Sequence, residues 1–221
     1  MNVFLAVLWK DLLTEWRSRD RVMAMLLFSL LMVVVFHFSV PGGATAEARA
    51  NAPGLLWVAY VFSAMLGLGR SFAIELENDA ISRLARAPAD RGWLFLGKIV
   101  ANFAILGLVQ LVTALFFALV FEMNLVPVAG QLAGVVALGS LGLCSVGTFF
   151  AAISVRTRLR EVMLPLLVLP FYIPVLSAAS RATATLFETG SVPFEPIQFL
   201  LVTDASYLIA SFVLSDFVLD E

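Results

Sequence analysis

The sequence predicts an all-α membrane protein: six transmembrane helices preceded by an N-terminal amphipathic helix lying in the membrane interface. Three observations predict it. Apolar residues make up 61% of 221 positions and mean hydropathy is +0.98, against roughly 45–50% apolar in soluble domains. Six apolar runs are long enough to cross about 30 Å of hydrocarbon. Finally, the polar stretches between those runs alternate in their content of Lys and Arg. Charged residues are 14%, below the usual figure of about 25%. The single cysteine, Cys144, excludes an internal disulfide and a multi-cysteine metal site. No basic block of the kind that binds nucleic acid is present.

Residues 1–21 form the interfacial helix. Phe4, Leu5, Leu8, Trp9, Leu12, Leu13 and Trp16 recur at i, i+3 and i+4, with Lys10, Asp11, Thr14, Glu15 and Arg17 opposite. An apolar face with two tryptophans against a charged face suits the membrane–water boundary. The six-helix transmembrane body, residues 22–221, follows. Its first span, Val22 to Val40, has His37 as its one ionisable group. Ala44-Thr45-Ala46 imitates a signal-peptidase site. The preceding charged region is long and acidic, however, and the apolar run exceeds 7–15 residues, so the sequence reads as a span.

Pro41-Gly42-Gly43 breaks the first span, and a polar loop runs to Pro53. The second span covers Gly54 to Ala73, with Trp57 and Tyr60 placed as interfacial anchors. The third opens at Trp93 and ends near Phe121; Glu122 to Gly130 is a loop. The fourth, Leu132 to Val155, is rich in glycine, and Gly130-x-x-x-Gly134 fits the small-xxx-small packing pattern. Arg156, Arg158 and Arg160 make a basic turn. The fifth span, Val162 to Ala179, contains Pro165, Pro170 and Pro174, which neighbouring helices make tolerable in a membrane. Residues 181–198 read as a polar outer loop, and the sixth span covers Phe199 to Leu219.

With the N-terminus inside, the cytoplasmic side receives 12 of the 14 Lys and Arg, leaving Arg49 and Arg181 outside. That asymmetry sets the orientation and returns both termini to the cytoplasm.

Between the second and third spans lies Arg70 to Arg91, the one long polar segment compatible with a helix. Ile74, Ile81, Leu84 and Ala85 share most of one helical face, and Pro88 discourages continuation. Glu75, Glu77, Asp79, Arg83 and Arg86 surround that ridge. A short cytoplasmic helix at residues 74–87, with Ile81 and Leu84 entering a groove and a charged rim around them, suits docking of a soluble partner. A solvated loop helix is the plainer alternative.

Other candidate chemistry is thin. Gly92-Trp-Leu-Phe-Leu-Gly97-Lys98 has the GxxxxGK spacing, but Ile99 follows where Mg²⁺ needs a hydroxyl, and no strand precedes it. His37 is an intramembrane ionisable residue and so a haem-ligand candidate, set against simple packing near the interface. Asp204 and Asp216 lie in or near the sixth span. A mid-bilayer carboxylate costs on the order of 3 kcal/mol, which favours placing both towards the interfaces. Cys144 among glycines reads as a small core residue.

The chain resembles the haem exporter B family, the CcmB-type permease of cytochrome c maturation. The residues that carry the resemblance are Ala52-Pro53-Gly54-Leu55-Leu56-Trp57-Val58-Ala59, Arg70-Ser71-Phe72 with its following acids, Leu96-Gly97-Lys98, and Leu167 to Leu176 (LVLPFYIPVL). It departs at Asp79-Ala80-Ile81, where the family has Asp-Gly-Ser, and at Arg86-Ala87-Pro88-Ala89, where the family has a Leu-rich Pro-Leu-Pro segment. The resemblance implies an ABC-2-like exporter fold in the bacterial inner membrane, working as a homodimer. It also implies a separate cytoplasmic subunit that binds and hydrolyses ATP, a haem-handling membrane subunit and a periplasmic haem chaperone. The driven step is then haem export or release of the haem-loaded chaperone, with haem as cargo and no cofactor resident in this chain. Rival readings are an ATPase-independent carrier or channel, which calls for inverted repeats with matched broken helices, and a passive scaffold of the maturation complex.

Overall fold

The computed structural model describes residues 3–39, 46–71, 91–155, 157 and 160–220, without the side chains at 3, 46–50, 91, 160–161 and 216–220. The described chain forms α1 (Val3–Ser18), α2 (Asp20–Ser39), α3 (Ala46–Ser71), α4 (Arg91–Val120), α5 (Ala129–Ser154), α6 (Arg160–Thr189) and α7 (Phe194–Asp220). A 3-10 turn at Val126–Val128 leads into α5. No strand occurs among the described residues. Helices α2 to α7 each hold a stretch long and apolar enough to cross a membrane.

Helix α5 is the axis of the bundle and packs on α3, α4, α6 and α7. Its inner positions are small, so neighbours come close. A Cβ at Gly139 would collide with the Trp57 ring of α3, and one at Gly147 with Leu68 of α3 and the Tyr172 hydroxyl of α6. Gly130 and Gly134 behave differently. A Cβ at either meets nothing within 4 Å, so the small-xxx-small pattern expected there makes no close helix contact within this chain. The useful glycines lie deeper, where large side chains press on α5.

Helix α3 fills the other half of the core. Trp57 and Tyr60 are fully buried, which corrects their expected role as interfacial anchors. The Trp57 indole donates to Thr183 Oγ1 of α6 at 2.9 Å, and the Tyr60 hydroxyl to the Gln110 carbonyl of α4 at 3.1 Å. Both aromatics thus bury large apolar area with the polar atom satisfied, which is what a core position demands of them. Helix α3 also begins within the polar loop expected up to Pro53, at Ala46, so that Pro53 lies inside the helix.

By contrast, α2 and α7 are peripheral: 17% of each apolar window is buried within the chain, against 67% for α3. On α2, Arg21, Met25, Ser29 and Val33 face inward, while Met23, Leu27, Leu31 and Val35 face out. That four-residue stagger leaves an apolar stripe for lipid.

The outer loop expected at 181–198 shrinks to residues 190–193. Helix α6 continues through Ala182, Thr183 and Leu186, all buried. It ends where Gly190 takes φ +72 and its N–H reaches the Leu186 carbonyl at 2.9 Å. A left-handed residue at that place stops a helix, and glycine does so without a Cβ penalty.

Candidate functional site

The site is built where α2 starts and α3 ends. Alternation of six spans brings the starts of α4 and α6 and the ends of α5 and α7 to the same side.

Helix α1 is placed there by three faces rather than two. Leu5, Trp9, Leu13 and Trp16 point outward, with Trp9 and Trp16 about 70% exposed. Lys10, Thr14 and Arg17 are exposed beside them. Phe4, Val7, Asp11 and Glu15 turn towards the bundle. Gly97 makes this seat: a Cβ there would lie 2.9 Å from the Phe4 carbonyl oxygen and 3.3 Å from Val7 Cβ, so α1 lies backbone-close on α4. Asp11 and Glu15, expected on the solvated face, are therefore drawn inward by buried cations. The chain reverses into α2 at Arg19, which adopts φ 55 and donates its N–H to the Glu15 carbonyl at 2.9 Å.

The centre of the site is Asn102 on α4, buried with 1% exposure. Its Oδ1 accepts from Arg21 Nη2 of α2 at 2.7 Å and from Ser71 Oγ of α3 at 3.2 Å. Its Nδ2 donates to Thr148 Oγ1 of α5 at 2.9 Å. One amide thereby ties four helices. Arg21 extends the tie to a fifth, because its Nη1 lies 3.8 Å from Glu15 Oε2 of α1. The other Glu15 oxygen accepts the Val22 N–H at 3.1 Å and so caps the start of α2. A turn away, the buried Lys98 Nζ of α4 pairs with Asp11 Oδ2 at 3.0 Å, and Lys10 approaches Asp11 Oδ1 at the same distance.

Buried cations are tolerated only with partners, and here acids and amides supply them. Arg21 Nε is the donor left over. A network with nearly every member satisfied is stiff and positions its helices closely.

Two further ionisable groups lie elsewhere. Asp204 is ten residues into α7, about 15 Å from its start. It is 2% exposed, and neither carboxyl oxygen has a hydrogen-bond partner among the described residues. That burial corrects the solvated setting expected for it, and α7 begins five residues earlier than the expected span. Gly142 of α5 makes the room: a Cβ there would lie 2.5 Å from Asp204 Oδ1 and 3.1 Å from Val175 Cγ2 of α6. His37, near the end of α2, lies edge-on to Phe38 and to Phe121, with centroids 5.5 and 5.6 Å away, and its Nδ1 has no hydrogen-bond partner among the described residues. Among the described residues, no three His, Cys, Asp or Glu converge as a metal would need.

Residues 2–220 match the family model described as CcmB protein. The chain belongs to the CcmB family. It is similar to the heme exporter protein B of Paracoccus denitrificans (strain Pd 1222), 32% identical over 209 residues and 94% of each chain. A heme exporter protein B of Rhodobacter capsulatus is 32% identical over 172 residues, 77% of this chain and 78% of its own length. That of Haemophilus influenzae is 29% identical over 178 residues, 80% of each.

In this CcmB-family chain the expected partner-docking residues Glu75, Glu77, Asp79, Ile81, Arg83, Leu84 and Arg86 lie outside the described residues. What is described is the anchorage beside them: Ser71, the last described residue before that segment, is held by Asn102. Sequence reasoning counted Arg21 only as a marker of sidedness, met Lys98 in the GxxxxGK spacing and the family resemblance without expecting it to be buried, and passed over Asn102 and Thr148. A signal was available. Lys98, Asn102, Gln110 and Thr113 recur at spacings of four, eight and three within the apolar run of α4, which puts all four on one helical face. All four are buried.

Proposed function

We propose that this chain is the membrane-embedded permease subunit of an ATP-driven haem exporter serving c-type cytochrome maturation in the bacterial inner membrane. The observation that carries the reading is the match along essentially the whole chain to a family whose members are named heme exporter protein B. Six membrane-length helices support it.

The chain hydrolyses no ATP itself and works on a partner that does. The GxxxxGK-like run supports this in a direct way: Gly92 to Lys98 lies in helix α4, and the Lys98 ammonium is committed to Asp11. The run is helical from its first residue, so it lacks the open loop whose successive amides wrap a phosphate, and from Phe95 onward its N–H groups are bonded within the helix. The bias of Lys and Arg puts the N-terminus, the C-terminus and residues 74–87 in the cytoplasm. There Ile81 and Leu84 dock the ATP-binding subunit, within a rim of Glu75, Glu77, Asp79, Arg83 and Arg86. A homodimer of the chain, a haem-handling membrane subunit and a periplasmic haem chaperone complete the assembly. Nucleotide binding closes the motor, moves the α3–α4 connection and shifts the bundle as a rigid body between two states.

Purification from membranes of cells that make c-type cytochromes tests this. The expected result is a stoichiometric ATP-binding subunit and nucleotide-dependent release of haem or of haem-loaded chaperone. Changing both Arg83 and Arg86 to Glu is expected to lose that subunit and c-type cytochromes while the chain stays inserted. Retention of both overturns the docking assignment, and haem movement across vesicles without nucleotide favours a carrier.

A further inference from the structure

We infer that Asn102, with Arg21, Ser71 and Thr148, is the element that converts movement of the α3 end into movement of the whole bundle. This deepens the proposed function and rests on its docking assignment, but the residues are different ones and lie inside the membrane domain. Three features of the geometry point to it. The hub joins α2, α3, α4 and α5 through one side chain and α1 through Arg21 and Glu15. Its link to α3 is Ser71, which lies three residues before the segment 74–87 on which the partner acts. It is also polar where the surrounding packing is apolar, and apolar contacts slide more easily than a directional amide with three partners. Asn102 uses both its acceptor and its donor, so α3 and α5 cannot shift against each other without breaking a buried hydrogen bond.

Mere structural support is the alternative, and it is separable. Buried polar groups replaced together by apolar groups of similar shape often leave stability unchanged. A fully apolar hub would therefore fold and yet lack the directional link.

The experiment uses the intact complex in lipid nanodiscs with its ATP-binding subunit. The first variant combines Glu15→Gln, Arg21→Met, Ser71→Ala, Asn102→Leu and Thr148→Val; Gln at 15 keeps an acceptor for the Val22 N–H. A milder variant, Ser71→Ala with Thr148→Val, cuts only the links of Asn102 to α3 and α5 and strands no charge. It stands in if the first does not insert. Spin labels at Arg70→Cys and Ile153→Cys, both exposed positions on the α3 and α5 ends, report relative movement; Cys144 is buried.

With the hub intact, nucleotide leaves the label separation unchanged, because the two ends travel together. With the hub cut, the separation becomes nucleotide-dependent, and c-type cytochrome yield falls roughly 5- to 150-fold, the usual span of an inter-site coupling. Partner binding and ATP hydrolysis persist. Replacement by Ser71→Thr and Thr148→Ser, which keep the hydroxyls, restores yield. A cut variant with wild-type yield overturns the inference. Loss of the ATP-binding subunit from cells carrying Arg83→Glu and Arg86→Glu, alongside wild-type yield in the hub variants, leaves the docking assignment standing while removing the hub.

Discussion

Helix α5 buries two polar groups of its neighbours a few residues apart, and they are treated in opposite ways. Near Thr148 it meets Asn102, whose amide is satisfied on both sides and which holds a cation and two hydroxyls in place. Near Gly142 it meets Asp204, whose two carboxyl oxygens touch no donor. The first arrangement gains from burial, since a complete network in a low dielectric is strong. The second is a liability, because desolvation of the carboxyl is offset by no donor among the described residues. A satisfied group fixes a helix, whereas an unsatisfied one makes its seam weaker. The difference predicts that mutations at the two places act with opposite sign.

The largest effect is expected at the satisfied group. Asn102→Leu alone takes the shared partner from Arg21 Nη2, Ser71 Oγ and Thr148 Oγ1, leaving Arg21 only its longer contact with Glu15. A buried donor or acceptor left without its partner costs about 1–3 kcal/mol, and more when it is charged, so the three losses together exceed about 3 kcal/mol, measured as the shift in reversible unfolding by a denaturing detergent. A loss under about 1 kcal/mol would show that water reaches the junction, and the contrast with Asp204 would lapse.

Next come the glycines that let the neighbours press on α5. Gly147→Ala drives a methyl into Leu68 and the Tyr172 hydroxyl, which must then give up its 2.9 Å hydrogen bond to the Leu143 carbonyl. Overpacking of this kind costs about 1–3 kcal/mol. The same substitution at Gly134, where a Cβ meets nothing within 4 Å, is expected to be neutral or to stabilise by up to about 1 kcal/mol through helix propensity. Equal effects at the two sites would mean that Gly134 faces a second chain in the assembled complex.

The fold was legible because a membrane helix is specified by length and apolarity alone. Six spans and their order follow from that. Helix ends were less legible, since the rules that end a helix in water are relaxed in a bundle. Pro53 lies inside α3, and Arg181 to Thr189 remain helical because Thr183 and Leu186 pack inward. Facing was the least legible. Trp57 and Tyr60 look like interfacial anchors by type, and only the partners Thr183 and Gln110 make them core residues. The polar hub was hidden differently. Its residues come from five helices up to 133 positions apart in sequence, from Glu15 to Thr148, and only the buried stripe on α4 was local enough to read.

The smallest predicted effect decides the comparison most cleanly. Asp204→Leu replaces a carboxyl that has no partner by a side chain of similar shape with no polar atoms. Where a buried polar group is satisfied, such a swap removes a bond; here there is no bond to remove. The outcome expected is unchanged stability or a gain of about 1 kcal/mol, within the range seen when buried charged groups give way to apolar ones. Unfolding in the same detergent titration measures it beside Asn102→Leu. Should Asp204→Leu destabilise by several kcal/mol, the carboxyl must hold a partner in the assembled protein, and the two sides of α5 would be alike. If instead stability holds while c-type cytochrome yield falls, the carboxyl is retained for transport at a cost to the α5–α7 seam.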